Sequence, residues 1–140
     1  MKTEEKESLK IKTREEILEL VGELIIEARN SGINTFQNIR NGEWIPKNPN
    51  VQEKNTIKLI NSLNQEQSEI IENVIGYLID LSVFKLLNIL ENGFKDYDFD
   101  LSIKNENQRI FLTGENSEIE ISSEFWQWLS KYGIKGTVPW

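Results

Sequence analysis

Residues 64–93 read NQEQSEIIENVIGYLIDLSVFKLLNILENG, and the way this stretch is packed decides the fold. Asn64-x-x-Gln67 has the form of a helix-starting box, and Gly93 stands where a left-handed C-terminal cap is wanted, so one helix is expected from about 65 to 92. At about 100° per residue, Ile71, Val74, Ile75, Leu78, Ile79, Leu81, Val83, Leu86, Ile89 and Leu90 cover more than half of its circumference. Such a helix is expected to be central, with its aliphatic side in the core. A single polar stripe holds Glu69, Asn73, Gly76, Asp80, Asn88 and Glu91, and Tyr77, Phe84 and Leu87 project from the same side.

On the N-terminal side, Thr13-x-x-Glu16 is a capping box that opens a helix over about 14–31, with Ile17, Leu20, Val21, Leu24, Ile25 and Ala28 on one face and Gly32 as its cap. Residues 1–12 are a charged lead-in. From Ile33 to Gln52 the pattern breaks around Asn41-Gly42, Pro46 and Pro49, which predicts a long loop that either hides a short helical turn near 35–40 or has a role of its own, with Trp44 and Ile45 folded back as a lid on the core. A further helix is expected over about 52–63. Beyond Gly93 the period changes from 3.6 to 2: Tyr97, Phe99, Leu101 and Ile103 alternate with polar residues, Ile110 and Leu112 follow, then Ile119 and Ile121. This predicts a three-stranded antiparallel meander. A short helix over 124–131, capped by Ser122 or Ser123, completes an α+β domain in which helices pack on a small sheet.

The length of 140 residues suits one domain, and 38% hydrophobic with 28% charged residues is ordinary globular composition. The formal charge is −7, with no His and no Cys. Zinc sets, thiol nucleophiles, disulfides and imidazole-based triads are thereby excluded. The acidity disfavours direct binding to nucleic acid or an anionic membrane. Phosphate-binding loops and the G-x-S-x-G elbow are absent. The opening residues lack the apolar segment of a signal peptide, and the apolar run 74–90 is interrupted by Asp80 and Lys85. Cytoplasmic residence is the expectation.

Charge placement is more informative. Residues 60–130 hold thirteen acids against four bases, a balance of −9 that leaves +2 for the rest of the chain. Asp96, Asp98 and Asp100 would lie on one strand face, each ~7 Å from the next. They do not form an EF-hand, because Leu101 stands where Gly is needed and Asn107 where a bidentate Glu is needed. No metal or cofactor is therefore expected. Glu118 and Glu120 extend the acidic face. Tyr77 and Phe84 stand beside Asn73 and Asp80, and Trp126 lies roughly 100° off the face of Phe125 and Leu129. Aromatics ringed by polar groups are the usual anchors of interfaces; the competing expectation, favoured by Leu87, is that the side of the long helix holding Tyr77 and Phe84 packs under the sheet or the 33–52 loop. These ten residues are the candidate surface for a basic protein partner, whose association complementary charge would favour.

The order of elements, the helix core Ile71-x-x-Val74-Ile75-x-x-Leu78-Ile79-Asp80, the acidic strands and the closing Ser123-Glu124-Phe125-Trp126-Gln127-Trp128 together resemble small bacterial immunity proteins that neutralise polymorphic or contact-dependent toxins. The resemblance implies a non-catalytic cytoplasmic protein acting by stoichiometric binding, and it transfers no site residue. Rival expectations are a phage-type inhibitor of host defence, a nucleic-acid mimic that engages a nucleic-acid-binding protein, and a metal- or carboxylate-dependent hydrolase using Asp96, Asp98 or Asp100. A homo-oligomer built on the aromatic side of the central helix competes with all of them.

Overall fold

The computed structural model describes residues 13–92, 97–106 and 108–134. Their order is α1 (Arg14–Arg40), α2 (Val51–Ser62), α3 (Gln65–Asn92), β1 (Ser102–Asn105), β2 (Gln108–Phe111) and α4 (Ile121–Tyr132), an α+β arrangement.

Side-chain caps set three of the helix starts. Thr13 Oγ1 accepts from the Glu16 amide at 3.2 Å, and Asn50 Oδ1 from the Glu53 amide at 2.7 Å. At α3 the box is reciprocal, with Gln67 N donating to Asn64 Oδ1 at 2.8 Å and Asn64 N to Gln67 Oε1 at 3.1 Å. These bonds satisfy amide groups that no helical carbonyl can reach.

α1 is nine residues longer than the expected 14–31. Gly32 does not cap it but lies inside it, where a Cβ would stand 2.6 Å from Ile79 Cδ1; the missing side chain serves close approach to α3. Beyond Gly32 the helical period resumes in Ile33, Phe36 and Ile39, all buried. The expected long loop shrinks to 41–50. Ile45 is 83% exposed and Trp44 half-buried, so Ile45 does not form the expected lid.

The core gathers Ile17 and Ile26 of α1, Leu87 of α3, Ile110 and Leu112 of the hairpin, and Ile121, Phe125, Trp128 and Leu129 of α4. Gly22 admits the Trp128 ring, since a Cβ there would lie 2.4 Å from it. Here α1, α3 and α4 meet in pairs.

The rotation of α3 corrects the expectation that its aliphatic side is the core. Its buried residues are Ser68, Glu72, Gly76, Asp80 and Leu87, whereas Ile70, Val74, Leu78, Leu86 and Ile89 are exposed. Because apolar residues cover most of the circumference, periodicity does not fix which side turns inward; the partners on α1 do. Arg29 Nε and Nη2 donate to the two Asp80 oxygens at 2.6 and 3.1 Å. Arg29 Nη1 reaches Asn30 Oδ1 at 3.1 Å and the Ile134 carbonyl at 2.5 Å. One turn beyond Gly76, Gln37 Nε2 donates to Glu72 Oε1 at 2.6 Å. A buried guanidinium needs a bidentate acceptor to offset its desolvation, and Asp80 on the polar stripe of α3 supplies one.

Among the described residues the sheet has two strands, not the expected three. β1 and β2 pair antiparallel, with Ser102 opposite Phe111 and Asn105 opposite Gln108. The third strand fails because Ser117 Oγ donates to the Ile119 carbonyl at 2.7 Å and accepts from the Ile119 amide at 3.3 Å, which removes groups that a ladder would need. The Tyr97–Asp100 alternation is likewise not a strand: Asp98 has φ 55°, which breaks the pleat. Tyr97 and Phe99 consequently stack on each other, centroids 6.3 Å apart, with both rings exposed. α4 begins at Ile121, three residues before the expected start, with Glu120 as an N-cap whose side chain makes no capping bond; Ser122 and Ser123 are thus in its first turn.

Candidate binding cleft

The hairpin continues past β1 and β2 through side-chain and main-chain bonds that place its two ends. Leu101 N donates to Thr113 Oγ1 at 2.9 Å, and Leu112 N to the Leu101 carbonyl at 2.8 Å. The next residue, Gly114, has φ 86° and lies against the Asp100 carboxylate so closely that a Cβ would fall 1.9 Å from Oδ1. That contact fixes Asp100 at the rim of a cleft of ≈ 990 Å³. It is lined by Phe84, Asn88, Glu91 and Asn92 from the last turns of α3 and by Asp98, Phe99 and Asp100 before β1. The loop from Thr113 to Glu120 and the first turns of α4, including Ser122, Ser123 and Trp126, close it.

Five carboxylates line this space: Glu91, Asp98, Asp100, Glu115 and Glu120. Among the described residues none that lines it is basic. Ser122 Oγ donates to Glu91 Oε2, Ser123 Oγ donates to Glu120 Oε2 at 3.0 Å, and Glu91 Oε1 is buried without a partner. The amino end of α4, with its unpaired amides and the positive end of its dipole, lowers the cost of holding Glu91 and Glu120 together.

The apolar part of the cleft is aromatic. Trp126 is 42% exposed and lies 5.3 Å, centroid to centroid, from Phe84; Phe125 meets Trp126 edge-on at 5.1 Å. Phe125 is buried in the core, so the exposed indole is held by a rigid ring cluster. A cation entering the cleft would find carboxylate acceptors beside aromatic faces, an environment suited to a guanidinium or ammonium group. Among the described residues no three carboxylates converge as a metal site; the negative charge is spread along the walls.

Of the candidate surface residues, Phe84, Asp98, Asp100, Glu120 and Trp126 come together here. Asn73 is exposed and Tyr77 half-buried on α3, away from the cleft. Asp80 is 1% exposed and belongs to the α1–α3 packing. Glu118 turns outward to accept from Arg14 Nε at 3.1 Å, and Asp96 lies outside the described residues. Glu91, Glu115, Asn88, Asn92, Asn116 and Phe99 complete the lining without having been singled out. Glu91 and Asn88 were legible as polar positions on α3, but their convergence with the 113–120 loop requires the tertiary fold. Among the described residues, no helix is long and apolar enough to cross a membrane. Compared with protein-family models, with curated proteins and with solved structures, the chain has no significant match.

Proposed function

We propose that the chain is a non-catalytic binding protein that inhibits or neutralises a basic protein partner, in the manner of an immunity protein directed at a bacterial toxin. One observation carries this reading: a cleft large enough for several side chains, lined among the described residues by five carboxylates and the aromatic cluster of Phe84 and Trp126 and by no basic residue. Its chemistry suits arginine or lysine side chains on a protruding segment of the partner. The carboxylates would steer the approach and select against acidic surfaces, while Trp126 would serve as the buried anchor.

The test is co-expression with the product of the adjacent gene, together with titration of ¹⁵N-labelled protein by a short arginine-rich peptide. The Trp126 indole and the amides of 113–123 should shift, and the triple change Asp98→Asn, Asp100→Asn, Glu120→Gln should weaken the complex by tenfold or more, since each exposed-to-partly-buried charge pair contributes on the order of 1 kcal/mol. Equal affinity in the triple variant would overturn the assignment of the cleft.

A further inference from the structure

Besides the residues that line the cleft, α3 turns an aliphatic surface to solvent. Ile70, Val74, Leu78 and Ile89 are 56, 50, 53 and 61% exposed, with half-buried Leu81 and exposed Lys85 between them. Along the chain these six positions are separated by 4, 4, 3, 4 and 4 residues. The series reads the same from either end of the helix. If a second α3 is laid antiparallel about a midpoint between positions 79 and 80, Ile70 meets Ile89, Val74 meets Lys85, and Leu78 meets Leu81. The 4-3-4 core of the series is the a/d repeat of knobs-into-holes packing, with Val74 and Leu81 at d and Leu78 and Lys85 at a.

Two further properties favour a second copy over another occupant. None of the six seam residues is acidic, although the chain carries −7. Two such chains repel through most of their surfaces, so self-association needs a face free of carboxylates. A basic partner gains nothing electrostatic from this seam, whereas the cleft attracts it. The area is also adequate for a weak dimer. The seam and the neighbouring Leu86 expose on the order of 500 Å² of apolar surface, near the upper end of what a monomer leaves bare. This strip, ~28 Å long, falls among the smaller interfaces, below about 600 Å² per partner, whose complexes are weak and concentration-dependent. Lys85 can lay its stem over the opposing Val74 and keep its ammonium in water.

We infer that α3 is a dimerisation helix on which a second copy of this chain packs antiparallel through Ile70, Val74, Leu78, Leu81, Lys85 and Ile89, leaving the two acidic clefts at opposite ends of the helix pair. The assignment does not depend on what the cleft binds. Sedimentation equilibrium of the full chain over roughly 1–100 µM, a range where specific interfaces of this size are populated, should show a dimer. Leu78→Glu should weaken it by at least about tenfold while the far-UV circular dichroism is unchanged, and Val74→Glu repeats the test in a second layer. The absence of cysteine permits a direct check of register. Ile70→Cys mixed with Ile89→Cys should oxidise to a cross-linked pair, and Ile70→Cys alone should not. A monomer throughout the range, which is also the result if residues 1–12 or a different protein cover the seam, overturns the inference. So does a dimer that survives both glutamate changes, or one that cross-links through Ile70→Cys alone. Arginine-peptide binding by a monomeric Leu78→Glu variant would leave the cleft reading intact, so the two proposals fail separately.

Discussion

α3 has two long faces whose chemistry is reversed from the usual arrangement. The face toward α1 carries Ser68, Glu72, Gly76 and Asp80, and the face toward solvent carries Ile70, Val74, Leu78 and Ile89. Hydrophobic transfer alone would rotate the helix the other way. What opposes that rotation is Arg29, 1% exposed, which would be left without its carboxylate, and the close approach that Gly32 grants to Ile79. The contrast teaches that in a helix apolar on most sides, the scarce polar partner sets the rotation and the surplus aliphatic residues are left for another surface.

The most severe way to break this contrast is to remove the carboxylate. Asp80→Ala takes the bidentate carboxylate away from the buried Arg29 guanidinium, and breaking a buried pair from one side costs ~3–5 kcal/mol. For a chain of this size the melting temperature should fall on the order of 10 °C. Leu86→Ala, on the solvent side and off the α3 seam, should cost less than about 1 kcal/mol. Thermal melts of the two variants decide the matter, and equal losses would show that the polar face does not set the rotation. Arg29→Met combined with Asp80→Leu should recover much of the Asp80→Ala loss, because apolar side chains then replace both members of the buried pair.

A smaller effect separates two glycines on the packed faces of α1 and α3. At Gly22 a Cβ would lie 2.4 Å from the Trp128 ring, a rigid group anchored in the core, so Gly22→Ala should destabilise by ~1–3 kcal/mol through overpacking. At Gly76 the nearest atom would be Ile33 Cδ1 at 3.8 Å, ordinary contact. Gly76→Ala should therefore stabilise by ~0.4–1 kcal/mol, through the reduced freedom of the unfolded chain. Urea midpoints of opposite sign are the expected outcome. Destabilisation by Gly76→Ala would mean that the α1–α3 approach at this point is tighter than the geometry indicates.

These residues also mark where reading the sequence succeeds and stops. The start of α3 was legible because Asn64 and Gln67 cap it locally, through bonds that involve no distant residue; Gly93, the expected C-terminal cap, lies outside the described residues. Gly32 misled for the opposite reason: its role is set by Ile79, a residue far along the chain. The same holds for the meander, where Ser117 diverts the Ile119 main chain and alternation alone does not reveal it. In the cleft, Trp126 was legible from its offset to the buried face of α4, and Asp98, Asp100 and Glu120 from their charge. Glu91 and Asn88 were legible as polar positions but not as cleft residues, because the stripe that holds them also holds the buried Asp80, and the position along α3 relative to the hairpin distinguishes the two ends.

The α1–α4 surface offers the exposed counterpart of the Arg29–Asp80 pair and the smallest expected effect. Glu19 Oε1 accepts from Lys131 Nζ and from the Tyr132 hydroxyl, both at 2.5 Å. The hydrogen bond from Lys131, followed by that from Tyr132, holds the Glu19 carboxyl below its ordinary 4.5. The same bonds raise Lys131 above 10.5 and Tyr132 above 10.0. For Glu19 the unfolded chain takes up the proton first as pH falls. Its contribution is therefore complete above pH 4.5 and disappears as pH drops through the lower folded value. For Lys131 and Tyr132 the folded chain holds its proton longer, so their contributions are complete below pH 10 and fade as pH rises through the raised folded values. Solvent screens this trio, unlike the core pair, so Glu19→Gln should lower the melting temperature far less than Asp80→Ala does. The difference from wild type should be constant between pH 6 and 9 and shrink below pH 4.5. A Glu19→Gln deficit of the same size at pH 3 as at pH 7 would mean that the side chain contributes by packing against α4 and not by its charge.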